Sequence, residues 1–383
     1  MKLSGFIWVF LLAMFIAGCG GSDSVSFNPD TVVKETFSES NEQFLSAGIP
    51  KRYEAKYVLR GGSTTCNTGY ITGLNSEGTL VGYFSCFVGA GGGSWGYHEF
   101  IYKNGEILES DLVRPQAIIG PDKVLDAYNG VYDVSEGTLT QVIAADKETF
   151  WNSQNAHGFT VGFVGESPAI ALQNKGYVDL TLDDAHLVLN DINDNNIAIG
   201  RIEYPEGRFK FNGIMYRIPD LDSLVSVGSI DPQHYIAPEF DTPFIPRALN
   251  NLDYIVGHSR VKKGDKYYSH AFLYSPSIGV LDLQEISASK WLERDSEAKD
   301  VNNLGLVVGT IDEYEDSSIG FVANVEQGLV DLNQLVDLEG YIITSAQAVN
   351  DQGEIAVFAK KTELEPELYD NPFLVYVFIL SPA

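Results

Sequence analysis

Leu249-Asn-Asn-Leu-Asp-Tyr-Ile-Val-Gly257 and Val301-Asn-Asn-Leu-Gly-Leu-Val-Val-Gly309 are two copies of the pattern that decides the fold of this chain. An apolar residue and Asn come first, two linking residues and a turn residue follow, and a short apolar run ends in Gly. Asn and Asp bond their own backbone and tolerate a positive φ, and Gly adopts it freely, so the pattern predicts a β-hairpin. Further copies begin at Leu74, Asn155, Ile192 and Val349.

Each copy belongs to a longer unit. An aromatic or apolar strand such as residues 271–274 follows the hairpin, and an Asp-Leu pair such as Asp282-Leu283 comes about ten residues later. The unit therefore predicts four short strands. Intervals of 80, 38, 57, 52 and 48 residues separate the repeated asparagines, and the longest leaves room for a divergent unit with its hairpin at residues 119–125.

Four-stranded units with a period near 48 residues predict an all-β fold, a β-propeller of about seven (six to eight) blades within residues 51–383. The last unit lacks its fourth strand. The N-terminal segment Tyr57-Val-Leu59 can supply that strand and close the ring, which removes exposed sheet edges. An open β-solenoid is the alternative.

The composition fits a folded, acidic protein. Of 383 residues, 44% are hydrophobic, and 52 Asp and Glu against 25 Lys and Arg give a formal net charge of −27. Binding to phosphates requires clustered basic residues, so the charge argues against nucleic acid as a partner.

The N-terminus carries an export signal. Lys2 precedes an apolar run over residues 5–18, which is shorter than the ~20 residues that span a bilayer and typical of a signal peptide. Ile16-Ala-Gly-Cys19 resembles the lipobox of bacterial lipoproteins. The resemblance implies a signal peptide at residues 1–18 and a lipidated Cys19. Because residue 20 is Gly rather than Asp, the resemblance also implies attachment to the outer membrane. It does not indicate whether the protein faces the periplasm or the cell surface. An ordinary signal peptide, or a buried helix with a chance Cys, is the alternative. Residues 19–50 are predicted to form a flexible polar tether.

Cys66 and Cys86 flank the first hairpin, Asn75-Ser-Glu-Gly78. If Leu74 pairs with Gly78, Cys66 lies opposite Cys86, and a cross-strand disulfide becomes reasonable in an oxidising compartment. Two free thiols are the alternative.

His270-Ala-Phe-Leu-Tyr274 gives the chain a second resemblance. The unit over residues 249–283, and also residues 331–355, resembles the HAF repeats of extracellular bacterial proteins. That family implies export and a repeated architecture without an established activity. His270 is replaced by Gly320 and Glu99 in other units, which argues against a shared catalytic role.

Two short motifs of nucleophilic enzymes occur. Ser94 lies in a G-x-S-x-G pattern, but a Gly-rich loop precedes it and a strand is predicted after it, whereas a nucleophile elbow needs a strand and then a helix. Ser287 and Lys290 match S-x-x-K without a companion motif, so we interpret them as an inter-blade turn. No catalytic residue is assigned.

Asp191, Asn193 and Asn195 have the spacing that begins a calcium loop. Asn196 replaces the expected Gly, and the repeated turn explains the same residues. No metal site or cofactor is assigned, with calcium left open.

Residues 201–248 contain six prolines, and aromatic side chains lie among the later ones. An extended loop of this kind on a propeller face is a candidate recognition surface. Its candidate binding residues are His234, Tyr235, Phe240 and Phe244.

The function expected from these features is that of a binding or scaffold module at the outer membrane. Its partners would be the membrane, through the lipid anchor, and an envelope protein or polysaccharide. We expect a monomer. The alternative is a hydrolase or lyase acting on envelope or extracellular glycans through carboxylates in the channel.

Overall fold

The strands form seven four-stranded antiparallel sheets around one axis, so the chain folds as a seven-bladed β-propeller. The predicted fold class and blade number are confirmed, and the solenoid is excluded. The computed structural model describes residues 48–61, 66–88, 94–110, 112–128, 130–143, 148–180, 186–203, 211–218, 234–235, 244–275, 279–287, 291–312, 318–363 and 375–383. The propeller lies within the compact unit Phe37–Ala383.

Strands are numbered along the chain, and the first three blades each use four consecutive strands. Blade 1 contains β2 (Cys66–Leu74), β3 (Leu80–Val88), β4 (Ser94–Lys103) and β5 (Glu106–Leu108). Blade 2 contains β6 (Pro115–Ile119), β7 (Lys123–Asp126), β8 (Gly130–Asp133) and β9 (Thr138–Thr140). Blade 3 contains β10 (Thr149–Gln154), β11 (Phe159–Val164), β12 (Ser167–Leu172) and β13 (Gly176–Asp179).

Blades 4 to 6 follow the same order. Blade 4 contains β14 (His186–Ile192), β15 (Ile197–Glu203), β16 (Phe211–Arg217) and β17 (His234–Tyr235). Blade 5 contains β18 (Phe244–Leu249), β19 (Ile255–Lys263), β20 (Lys266–Ser275) and β21 (Gly279–Asp282). Blade 6 contains β22 (Ser296–Val301), β23 (Val307–Asp312), β24 (Ser318–Asn324) and β25 (Gly328–Asp331).

Blade 7 joins the two ends of the propeller. It contains β26 (Tyr341–Val349), β27 (Ile355–Lys361), β28 (Val375–Pro382) and, as the outermost strand, β1 (Tyr53–Gly61). Tyr57 lies opposite Phe378 in the β1–β28 ladder. Closure by the N-terminal strand is therefore confirmed, with a longer strand than predicted. The ring cannot open without breaking this ladder.

The repeated glycine in the second strand of a blade makes room for a β-bulge in the first strand. In blade 6 the ladder shifts between Ala298 and Asp300, so that Lys299 is the extra residue. A Cβ on Gly309 would lie 2.0 Å from the backbone oxygen of Glu297. The same close approach occurs at Gly82, Gly162, Gly200 and Gly257. Only Gly allows the two strands to pair at these positions.

The Asp-Leu pairs stabilise the packing of one blade against the next. The Asp282 carboxylate caps the short helix Leu283–Ile286, and Leu283 is fully buried among side chains of blade 6. Asp331 likewise caps the 3₁₀ helix Leu332–Gln334. Capping and burial thus occur at the same dipeptide.

The first hairpin corrects one detail of the sequence interpretation. Leu74 pairs with Leu80 rather than Gly78, but two register shifts in β2 still bring Cys66 opposite Cys86. Cys86 is disulfide-bonded. The bridge to Cys66 stays a prediction that this register supports.

The predicted signal peptide, Cys19 and nearly all of the tether lie outside the described residues, which begin at residue 48. Within the described ranges, no helix has the length and apolar character needed to cross a membrane.

Candidate functional site

The repeated asparagines connect neighbouring blades as well as closing their own hairpins. Asn193 Oδ1 accepts hydrogen bonds from the backbone N–H groups of Asn195 (3.1 Å) and Ile197 (2.9 Å). Its Nδ2 donates to the backbone oxygen of Asn250 in the next blade, at 2.9 Å. One side chain therefore satisfies two donors of its own turn and one acceptor of a neighbour.

This bond repeats around the ring. It runs from Asn155 to Asn193, to Asn250, to Asn302, to Asn350 and to Asn75. Asn75 in turn donates to the backbone oxygens of Gly120 and Pro121 in blade 2. Gly120 has no side chain with which to continue the series. We call these six residues the asparagine ring.

The asparagine ring surrounds one end of the central channel, where a cavity of about 850 Å³ is lined by the first strand of every blade. Each of these strands carries a β-bulge here. The extra residue is polar in all seven blades and lines the cavity: Thr72, Gln116, Asn152, Asn190, Arg247, Lys299 and Gln347. Asn152 and Asn190 also donate to backbone oxygens of the following blade. The bulges therefore give the channel a polar wall.

Blades 5 and 6 place the two cationic members of that wall side by side. Arg247 donates from Nε to Glu297 Oε1, and His258 Nδ1 lies 3.5 Å from the same oxygen. Burial alone would raise the pKa of Glu297, but the basic side chains around it lower the pKa to about 2. Glu297 is thus ionised and stabilised by His258, Arg247 and Lys299 together.

Lys299 is the less neutralised cation. Burial lowers the pKa of its ammonium, with Glu297 opposing the effect. Within the described part of the chain the ammonium makes no hydrogen bond or ion pair, and the side chain lines the cavity. The carboxylates of Glu297 and Asp312 attract this ammonium without bonding to it, so a further anionic group beside it would be favoured.

Two carboxylates of the cavity wall connect blades through backbone N–H groups. Asp191 accepts from Ser153 Oγ (2.6 Å) and from the N–H of Leu249 (3.0 Å) in blade 5. Asp300 accepts from the N–H groups of Val301 and Val349, both at 2.8 Å. Burial raises the pKa of both carboxyl groups, to about 7 for Asp300.

The structure corrects part of the recognition surface predicted in residues 201–248. Phe244 is 2% exposed and stacks on Phe272 in the core, because it begins the inner strand of blade 5 rather than ending a loop. His234 and Tyr235 form β17, the outer strand of blade 4. Phe240 lies outside the described residues.

The candidate chemical motifs have structural roles where they are described. Ser94 begins strand β4 opposite Val88, without the strand-then-helix setting of a nucleophile elbow. Ser287 Oγ donates to the carbonyl oxygens of Leu283 and Gln284 at the end of a short helix, and Lys290 lies outside the described residues.

His270 is 1% exposed. Its Nδ1 lies 2.6 Å from Asp282 Oδ2, and its Nε2 lies 3.2 Å from the backbone oxygen of Leu292. Both ring nitrogens have hydrogen-bond partners within the protein, so His270 connects β20 and β21 to the loop that follows them.

Each of the three residues with calcium-loop spacing, Asp191, Asn193 and Asn195, has a structural role. Asn193 serves the asparagine ring, Asn195 donates to the backbone oxygen of Asn251, and Asp191 connects two blades. The described ranges contain no group of three or more His, Cys, Asp or Glu side chains placed to hold a metal.

Sequence reasoning missed the polar channel wall, although a signal for it exists. The bulge residue stands three positions before the repeated asparagine, as Asn190 does before Asn193 and Lys299 before Asn302. It is polar in every blade, whereas the flanking strand positions are mostly apolar.

Comparisons with known proteins bear on the fold alone. No protein-family model and no curated protein matches the chain. Among solved structures, the β-propeller domain of the Trilobed protease from Pyrococcus furiosus is 10% identical, with a TM-score of 0.49 over 78% of this chain and 91% of that one. Pyrococcus horikoshii acylaminoacyl peptidase is 11% identical, with a TM-score of 0.45 over 76% of this chain and 49% of that one. The α-L-arabinofuranosidase from Podospora anserina is 8% identical, with a TM-score of 0.30 over 87% and 98%.

Proposed function

We propose that this protein is a binding module, held at the bacterial outer membrane by a lipidated Cys19, whose channel cavity takes a small polar acid. The observation that carries the proposal is the polar wall, because all seven blades place a polar side chain at the same depth. A cavity of about 850 Å³ lies within the usual ~300–1,000 Å³ of small-molecule sites.

The charges of the wall indicate the ligand class. Glu297 is ionised and bound by Arg247, which leaves Lys299 without a direct hydrogen bond or ion pair among the described residues, although Glu297 and Asp312 attract it. One carboxylate on the ligand would neutralise Lys299, and Arg247 has N–H donors beyond the one given to Glu297. Asn152, Asn190 and Gln347 line the same cavity; each amide nitrogen already donates one hydrogen bond within the protein, and the remaining N–H and oxygen of each amide suit hydroxyl groups. A uronic acid combines both features.

Binding is favoured over catalysis because the channel carboxylates already have structural partners. Both oxygens of Asp191 and both oxygens of Asp300 accept hydrogen bonds from the protein. Each oxygen keeps a second lone pair, but these hydrogen bonds hold both carboxyl groups against the backbone, where they connect neighbouring blades.

Thermal unfolding in the presence of D-galacturonate and D-glucuronate, with D-galactose and D-glucose as neutral counterparts, tests the proposal. A ligand at one hundred times its dissociation constant stabilises the folded state by ~2.7 kcal/mol. We expect a uronic acid, but not its neutral counterpart, to raise the melting temperature of the wild type and of Lys266→Met. The same acid should not raise the melting temperature of Lys299→Met. Lys266 is the matched control because it is an exposed lysine in the β19–β20 hairpin. Equal shifts in both variants, or no shift in the wild type, would contradict the proposal.

A glycan-cleaving enzyme is the second candidate, and one observation favours it. Asp300 has a pKa of about 7, and the negative charge of Asp191 contributes to that rise. Raised carboxyl pKa values beside a cavity are typical of acid–base catalysts. Reducing-end release from envelope polysaccharide by the wild type, lost in Asp300→Asn, would support an enzyme. If the wild type released no reducing ends between pH 5 and 8, the enzyme would be rejected and the binding module would be retained.

A further inference from the structure

We propose a second ligand site on the opposite end of blades 1 to 3, an aromatic platform that binds a short stretch of neutral glycan. The platform consists of Tyr70, Tyr83, Tyr97, Arg114, Tyr128 and Phe150. It is separate from the channel cavity and does not depend on the ligand proposed there.

The topology places the platform away from the channel cavity. Arg114 directly precedes β6, whose other end carries the hairpin at Gly120 that lines the cavity. Tyr128 lies in the β7–β8 connection, which is also at the end opposite that hairpin. Phe150 stands near the start of β10, and the cavity is lined by its far end. Arg114, Tyr128 and Phe150 therefore lie at the end of the propeller where blade-to-blade connections enter, and Arg114 connects them to Tyr83, which lies nearer the middle of its strand.

Arg114 organises the rings. Its guanidinium lies 5.2 Å from the ring centroids of Tyr83 and Tyr97 and 5.0 Å from that of Phe150, and its Nε donates to the Tyr83 hydroxyl at 2.9 Å. Tyr70 stacks on Tyr83 at 4.9 Å. Cation–π contacts of this kind are each worth ~0.5–2 kcal/mol. A single side chain thus connects rings from two blades.

A buried carboxylate fixes the backbone beneath the platform. Asp126 is fully buried and accepts hydrogen bonds from the backbone N–H groups of Val113 (2.7 Å), Arg114 (2.6 Å) and Tyr128 (3.0 Å). The Tyr128 ring packs edge-on against Phe150 at 5.4 Å. The platform is therefore ordered before any ligand arrives, which lowers the entropic cost of binding.

The exposed part of the platform is small. Tyr70 and Tyr128 are 42% and 44% exposed, whereas Tyr83 is buried and supports Tyr70 by stacking on it. A tyrosine side chain presents ~150–250 Å² in total, so each ring offers roughly 100 Å² of open surface. The sum is well below the ~800 Å² per partner that a standard protein–protein interface buries. The area instead suits a few sugar rings.

The chemistry of the platform also suits sugars. A pyranose has an apolar C–H face that can lie on a tyrosine ring, and hydroxyl groups at its edge that can bond phenols and a guanidinium. Arg114 keeps its positive charge while three rings pack against it, and its remaining N–H groups can donate hydrogen bonds to sugar hydroxyls. The net charge of −27 disfavours polyanions. A neutral glycan is the ligand class that remains.

Affinity electrophoresis of the full chain in native gels tests the proposal, with soluble β-glucan, galactomannan or dextran in the gel and alginate as the acidic counterpart. We expect at least one neutral polysaccharide to retard the wild type, and Tyr70→Ala and Tyr128→Ala each to weaken the apparent affinity by about fivefold or more. Tyr267→Ala is the matched control, because Tyr267 is 50% exposed and also lies beside two cationic side chains.

Three outcomes would overturn the proposal. They are no retardation of the wild type by any neutral polysaccharide, equal loss in Tyr267→Ala, and retention of affinity in both platform variants. Photo-crosslinking from position 70 or 128 to a protein in cells, without glycan binding, would assign the platform to a protein partner instead.

Discussion

Asn250 provides the sharpest test of how the blades are held together. Its side chain is 5% exposed; Oδ1 accepts from the N–H groups of Leu252 and Tyr254, both at 2.9 Å, and Nδ2 donates to the backbone oxygen of Asn302 at 2.8 Å. Asn250→Ala removes three hydrogen bonds in a buried setting. At ~0.5–1.5 kcal/mol each, the free energy of unfolding should fall by about 3 kcal/mol.

Asn250→Asp separates the turn from the link between blades. A carboxylate keeps the two acceptor bonds of the turn but sets an oxygen against the carbonyl of Asn302. The expected loss is about 2 kcal/mol at neutral pH. It should shrink as the pH falls through the pKa of the new carboxyl group, because the protonated form can donate again.

Urea denaturation followed by tyrosine and tryptophan fluorescence measures both variants. Asn251→Ala is the control, because it lies in the same turn and its hydrogen bonds to Asp194 are exposed. It should cost less than about 1 kcal/mol. If Asn250→Ala cost no more than Asn251→Ala, the account of the asparagine ring would be wrong.

Three further predictions concern other parts of the chain. Gly309→Ala should lower the free energy of unfolding by about 2 kcal/mol or more, since the new Cβ would meet the Glu297 oxygen at 2.0 Å; an unchanged urea midpoint would refute the bulge explanation. The Asp300 pKa of about 7 lies above the ordinary 3.8, so the folded state holds a proton that the unfolded state releases, and stability should decline as the pH rises between these values. Asp300→Asn should make that decline smaller, with the remainder due to Asp191, whose pKa burial also raises; unfolding at pH 4.5, 6 and 7.5 would show the change, and an unchanged slope would contradict it. Cys19→Ala should release the protein from outer-membrane fractions, and its continued sedimentation with them would exclude the lipid anchor.

The fold could be predicted from the sequence because its signal is local and repeated. A pattern such as Asn302-Asn-Leu-Gly305 produces a hairpin wherever it occurs, and an Asp-Leu pair marks the outer strand of blades 1, 3, 5 and 6. Even the missing fourth strand of the last unit indicated closure by the N-terminus. Each of these features depends on neighbours in sequence, which periodicity reveals.

The β-bulges could not be predicted in the same way. A bulge adds one residue to one strand and shifts the register, and a polar residue three positions before the repeated asparagine is equally compatible with an ordinary exposed strand position. The prediction for Cys66 and Cys86 reached the observed register from a wrong turn pairing, because two shifts in β2 compensated for the error at Leu74. Phe244 was placed on the surface because prolines surround it, whereas the structure uses it in an inner strand.

The two candidate sites depend on contacts between distant segments. The channel cavity takes one bulge from each of seven strands, and Lys299 and Arg247 meet only because blades 5 and 6 are neighbours. The aromatic platform forms around Arg114, which sequence reasoning did not single out. Only the packing of one blade against the next brings such residues together.

A crystal structure of the protein grown with a saturating uronic acid tests the binding proposal most directly. The account predicts the sugar in the channel cavity, with its carboxylate within hydrogen-bond distance of Lys299 Nζ. A cavity that holds only solvent, or an acid bound solely at the outer surface of the propeller, would contradict it.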